Sequence, residues 1–126
     1  MAIPPSSQPR IAVVDDDRSI REALQDMLQS YGYSCSTFDS AKAFLGFDSA
    51  SDFDCIILDV SMPEIDGLEL QASLRTAGLN VPIVFVTSHD DDRTRDAALA
   101  GGALAFLGKP VDLERLLHFI SIAMCR

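Results

Sequence analysis

Five short apolar runs, each followed by a stretch of helical periodicity, constrain this chain more than any other feature. The runs occupy residues 11–14, 33–38, 55–58, 83–86 and 104–107. Four of them are rich in Val, Ile, Leu or Phe without polar alternation, as strands buried on both faces are. The run at 33–38 is more polar and alternates, which suits an edge strand.

The intervening segments read as helices. Ile20, Ala23, Leu24, Met27, Leu28 and Tyr31 recur at the spacing of one amphipathic face, with Ser19 as the expected cap and Gly32 as the stop. Leu113, Leu116, Leu117, Ile120, Ala123 and Met124 repeat the pattern behind Asp112, a cap. Asp66-Gly67 opens a third helix through Leu70, Leu74 and Ala77, ended by Gly78, and 40–47 makes a short one. Residues 90–92 begin a fourth helix, Ala-rich and with a weak apolar stripe, which Gly101-Gly102 terminate.

Strands alternating with helices imply an α/β fold, a mostly parallel sheet covered on both faces. At 126 residues the chain has the length of one domain. Residues 1–9, rich in Pro and Ser, are expected to be a loose arm and 10–126 the folded domain. No apolar run approaches the ~20 residues of a membrane span, and the start lacks the apolar stretch of a signal peptide, so the expected location is cytoplasmic. Nineteen acidic against ten basic residues leave a formal charge of -9, which argues against nucleic-acid binding by this chain alone. Cys35, Cys55 and Cys125 show no CxxC, so neither a disulfide framework nor a zinc site is expected.

Open α/β sheets place their ligands at the carboxyl ends of the strands. There stand Asp15, Asp16 and Asp17 after the first strand, Asp59 after the third, Thr87 and Ser88 after the fourth, and Lys109-Pro110 after the fifth. Two carboxylates about 4 Å apart repel by ~4 kcal/mol at an effective dielectric of 20. A cation relieves that repulsion, and hard oxygen donors without His or Cys suit Mg²⁺. Taken singly each residue has a plainer reading: Asp17 a helix cap, Thr87 a β-former, Lys109 a solvated charge. Together on one rim they form a site.

The stretches IAVVDDD (11–17), CIILDVSMPEIDG (55–67), IVFVTS (83–88) and FLGKP (106–110) resemble the receiver domain of bacterial two-component response regulators, over essentially residues 10–124. The resemblance implies a flavodoxin-like sheet of order 2-1-3-4-5. It implies that Asp59 accepts a phosphoryl group from a sensor histidine kinase. Mg²⁺ would be held by Asp16, Asp59 and the backbone carbonyl of Ser61, with Asp15 reaching it through water. Thr87 and Lys109 would bind the phosphoryl oxygens, Phe106 would be the aromatic switch, and Pro110 would follow a cis bond. The acquired charge would draw Thr87 and Lys109 inward, let Phe106 fill the space left, and shift the fourth helix. Ser61 and His89 flank the mouth of the site, at positions that vary in the family.

The output surface implied is that of the fourth helix, fifth strand and last helix, carrying Arg93, Arg95, Phe106, Arg115 and His118, through which receivers dimerise or meet an output domain. Two other readings compete with this one. An aspartyl-nucleophile phosphatase would need an acid where Ser61 stands, and a pseudo-receiver, an interaction module without phosphorylation, usually lacks one of the site residues kept here. The stretches AFL (43–45) and FLGKPVDLERLL (106–117) look like receivers coupled to helix-turn-helix domains. The sequence stops directly after the last helix, so the expectation is a stand-alone receiver or the regulatory half of a longer transcription factor, with any output domain outside this chain.

Overall fold

The computed structural model describes residues 8–47 and 52–125. Strands β1 (Arg10–Val14), β2 (Ser34–Phe38), β3 (Cys55–Leu58), β4 (Ile83–Thr87) and β5 (Ala105–Gly108) alternate with helices α1 (Arg18–Ser30), α2 (Ala41–Leu45), α3 (Gly67–Thr76), α4 (Asp92–Ala100) and α5 (Leu113–Met124). All pairings are parallel and the order is β2-β1-β3-β4-β5, so the alternating run at 33–38 does lie on an edge. None of the described helices is long and apolar enough to cross a membrane.

The continuous apolar runs have a direct cause. Neighbouring residues of a strand point to opposite faces, and here both faces are covered. Ala12, Val14, Ile56, Leu58, Ile83 and Phe85 pack with Phe44, Leu70, Leu74 and Ala98 under α2, α3 and α4. Ile11, Val13, Ile57, Val84 and Val86 pack with Leu24, Leu28, Leu116 and Ile120 under α1 and α5. Each fully buried Val, Leu or Ile side chain contributes about 1.5–3 kcal/mol.

Helix starts follow cap chemistry. Asp66 and Glu69 form a reciprocal capping box on α3, and Ser40, Asp91 and Asp112 cap α2, α4 and α5. For α1 the expected cap is corrected. Asp17, with extended backbone, accepts the N–H groups of Ser19 and Ile20, and Ser19 lies inside the helix. The carboxylate two residues earlier reaches those donors first, which leaves Ser19 nothing to cap. Gly32 follows α1 with φ 89°, a left-handed turn that side chains disfavour.

Strand boundaries shift slightly. Tyr33 and Leu104 precede their strands, and β5 runs on to Gly108, so that Lys109 emerges directly from the sheet. Of the expected N-terminal arm, residues 1–7 lie outside the described residues, while the Pro9 carbonyl already accepts the Ser34 N–H at 2.9 Å.

Candidate functional site

The sheet's own hydrogen bonds bring the acidic residues to one rim. Asp15 follows β1 and donates its N–H to the Phe38 carbonyl at 3.1 Å, while Asp59 follows β3 and donates to the Val14 carbonyl at 3.0 Å. Both are buried, 3% and 5% exposed, whereas Asp16 is exposed. One carboxylate oxygen from each of Asp15, Asp16 and Asp59 lies within 4.8 Å of the others.

Lys109 reaches back into this cluster. Its backbone N–H is held by the Thr87 carbonyl at 2.9 Å, and the peptide to Pro110 is cis. The ammonium stands 3.0 Å from Asp15 Oδ2 and 3.0 Å from Asp59 Oδ2. The remaining oxygens are also engaged: Asp15 Oδ1 accepts the Asp17 N–H at 2.9 Å, and Asp59 Oδ1 the Ser61 N–H at 3.3 Å. Burial raises the Asp15 pKa above the usual carboxylate value, the Asp59 charge adding to the effect against the bonds from Asp17 and Lys109. For Lys109 burial acts to lower the pKa, but the hydrogen bonds and charges of Asp15 and Asp59 outweigh it and hold the ammonium above its ordinary value. The lysine therefore stays charged and answers two carboxylates at once.

The loop after Asp59 owes its shape to Gly67. The Gly67 N–H donates to the Val60 carbonyl at 2.8 Å, and a β-carbon on Gly67 would overlap the Asp59 carbonyl oxygen. Close approach, more than flexibility, is what that glycine supplies.

Thr87 ends β4 fully buried, with its hydroxyl accepting the His89 N–H at 3.1 Å. His89 and Ser61 are exposed at the mouth. Asp17 is a cap and lies outside the cluster. One expectation fails: Phe106 is not a surface residue. It is 9% exposed, its ring 6.0 Å from that of Phe85, with the Arg95 guanidinium 5.9 Å from the ring centre on the outer side. β5 is an edge strand, yet α4 covers that face of it. Arg93, Arg115 and His118 are exposed, and Arg95 pairs with Asp90 at 3.1 Å.

Three contributors had no pattern to betray them. Arg21 donates to the Asp15 carbonyl at 2.8 Å. Gln71, 3% exposed, donates to the Ala98 carbonyl at 2.9 Å and ties α3 to α4. Asp90 lies against Gly108, where a β-carbon would come 2.7 Å from its carboxylate.

The family described as response regulator receiver domain matches residues 11–121. The response regulator protein TodT of Pseudomonas putida is 40% identical over 114 residues, 90% of this chain and 50% of TodT. The transcriptional regulatory protein FixJ of Bradyrhizobium diazoefficiens is 37% identical over 114 residues, 90% of this chain and 56% of FixJ. The chain thus spans about half the length of these curated relatives. Among solved structures, response regulator StyR superposes with a TM-score of 0.83 at 38% identity, over 93% of this chain and 59% of StyR. The Vibrio cholerae chemotaxis protein CheY4 superposes with a TM-score of 0.84 at 29% identity, over 93% of this chain and 99% of CheY4.

Proposed function

Because the chain belongs to the response regulator receiver family, we propose that it is a signalling switch in which Asp59 accepts a phosphoryl group from a sensor histidine kinase. The observation that carries this reading is Lys109 bridging the two buried carboxylates Asp15 and Asp59, each at 3.0 Å. One Oδ of Asp59 can attack phosphorus in line with a phosphohistidine P–N bond. The P–O bond forms as the P–N bond breaks, and the imidazole leaves with the electron pair. Positioning and charge neutralisation do most of the work in such a transfer.

Each neighbour has a task. Lys109 turns from Asp59 Oδ2 to a phosphoryl oxygen and keeps its hold on Asp15. Thr87 exchanges the His89 N–H for the phosphoryl group, donating its hydroxyl proton. The donor set fits a hard divalent cation: Asp16 and Asp59 with the Ser61 carbonyl would hold Mg²⁺, and Asp15 would meet it through water. Bound there, Mg²⁺ supplies neutralisation of the charge that gathers on Asp59 and the phosphoryl oxygens.

The phosphorylated state would be read on α4, β5 and α5, by a homodimer or an output domain beyond this chain. FixJ, covered to 56% of its length, is a transcriptional regulatory protein, which supports transcription as the output.

Intact-mass spectrometry after incubation with acetyl phosphate, with and without Mg²⁺, tests the core of this reading. Wild type should gain one phosphoryl group only with Mg²⁺, and Asp59→Asn should gain none. A folded, Mg²⁺-binding wild type that gains nothing from acetyl phosphate or from a phosphorylated kinase would overturn it.

A further inference from the structure

Asp15 is held from four directions. Its N–H goes to Phe38, its Oδ1 takes the Asp17 N–H, its Oδ2 takes Lys109, and its carbonyl takes Arg21 Nη1 at 2.8 Å. The first three come from the sheet, the adjoining turn and the residue after β5. The fourth comes from α1, a helix seated on the sheet through Leu24 and Leu28. The carbonyl of Asp15 and the N–H of Asp16 share one planar peptide. A guanidinium that fixes this carbonyl fixes the plane from which the Asp16 side chain departs. Asp16 is the exposed member of the acidic cluster, and among the described residues no partner is recorded for its carboxylate.

We propose that Arg21 is a positioning residue for the cation site, aiming the Asp16 carboxylate by holding the Asp15–Asp16 peptide from α1. The inference rests on the Mg²⁺ reading of the cluster. It makes a prediction of definite sign, because the charge of Arg21 and its geometry act in opposite directions. As a positive charge bonded to the Asp15 carbonyl, Arg21 opposes the approach of a cation to the cluster, so charge alone predicts tighter binding once it is removed. As a positioning group it predicts looser binding, and partners that orient metal ligands typically contribute about 10–100-fold in affinity.

The test is calorimetric titration of Mg²⁺ into the full chain as wild type, Arg21→Met, Arg21→Lys and Asp16→Asn, with thermal unfolding of each metal-free protein. Arg21→Met should bind about tenfold more weakly than wild type, and Arg21→Lys, which keeps a donor and the charge, should recover most of the loss. The metal-free melting temperatures of wild type and Arg21→Met should stay close. Equal or tighter binding by Arg21→Met would overturn the proposal in favour of simple charge. Equal weakening in Arg21→Met and Arg21→Lys with a matching fall in metal-free stability would overturn it in favour of α1 packing. If wild type itself bound no Mg²⁺, the cation site would fall and this inference with it, whereas binding that survives in Asp16→Asn at wild-type strength would remove Asp16 as the residue being aimed.

Discussion

Gly67 lies against Asp59 so closely that a β-carbon at position 67 would occupy the space of the Asp59 carbonyl oxygen. The obstacle is backbone and cannot rotate away. Gly67→Ala should therefore destabilise the fold by about 1–3 kcal/mol, as overpacking does, and displace Asp59 from Lys109. Urea denaturation measures the first effect. The second should appear as loss of phosphorylation by acetyl phosphate in the fraction that remains folded.

The carboxylate cluster should make stability depend on metal. Mg²⁺ at a hundredfold excess over its dissociation constant should stabilise wild type by ~2.7 kcal/mol. Asp59→Asn, which removes a negative charge beside Asp15 and leaves the Asp15–Lys109 pair, should melt higher than wild type without metal and gain less from Mg²⁺. Lys109→Met should melt lower without metal, by about 3–5 kcal/mol, because two buried carboxylates then face each other unanswered. Identical melting curves for all three proteins would mean that these groups do not interact.

Stability should fall on the alkaline side. Burial pushes the Cys35 thiol up to about 11 and the Cys55 thiol up to about 12, the latter with help from the Asp54 charge. Above pH ~9 the unfolded thiols ionise while the folded ones keep their protons. The unfolded state then binds fewer protons, and stability drops by about 1.4 kcal/mol per pH unit for each thiol. The contribution of Lys109, whose folded pKa is raised, is present below the ordinary lysine value and is lost only as pH rises past the raised one. Urea midpoints between pH 8 and 11 should decline in wild type and decline less in Cys55→Ala.

Helix α4 should respond unevenly to phosphorylation. At its carboxyl end Gln71 bonds the Ala98 carbonyl from the core, and Arg75 reaches the carbonyls of Gly101 and Gly102, each at 3.4 Å. At its amino end the ties are the Asp91 cap, the partly exposed pairs of Arg95 with Asp90 and Asp92, and the Arg95 guanidinium over the Phe106 ring. Hydrogen exchange should therefore change on phosphorylation mainly at 92–97 and little at 98–102. Gln71→Ala, which leaves the Ala98 carbonyl without its partner, should cost about 1–3 kcal/mol and extend the response through the whole helix. Uniform exchange across α4 in wild type, before and after phosphorylation, would refute this asymmetry.

What the sequence discloses and what it conceals divide along the range of the interactions involved. The five strands, the edge position of β2 and the helix faces were legible because burial imposes a local period on Ile, Leu and Val. Asp15, Asp16, Asp59, Thr87 and Lys109 were legible because each stands where an apolar run ends. Ser19 misled because Ser and Asp both cap helices, and only backbone direction decides between Ser19 and Asp17. Phe106 misled because the covering of an edge strand by α4 is a tertiary matter. Gln71 and Arg21 read as ordinary helix polar residues. The Gln71 partner lies 27 residues away, and the Arg21 partner is a carbonyl, which leaves no mark in the sequence.

Ile11 and Ala12 are joined by one peptide bond, yet they belong to different hydrophobic layers that meet only through the sheet backbone. Substitutions beneath α1 and α5 should accordingly add to those beneath α3 and α4 with little cross-talk. Either layer can then be repacked without loss from the other. The sheet acts as a party wall: two households share it, and either can be rebuilt without disturbing the other, provided the row of polar residues along its top is left standing.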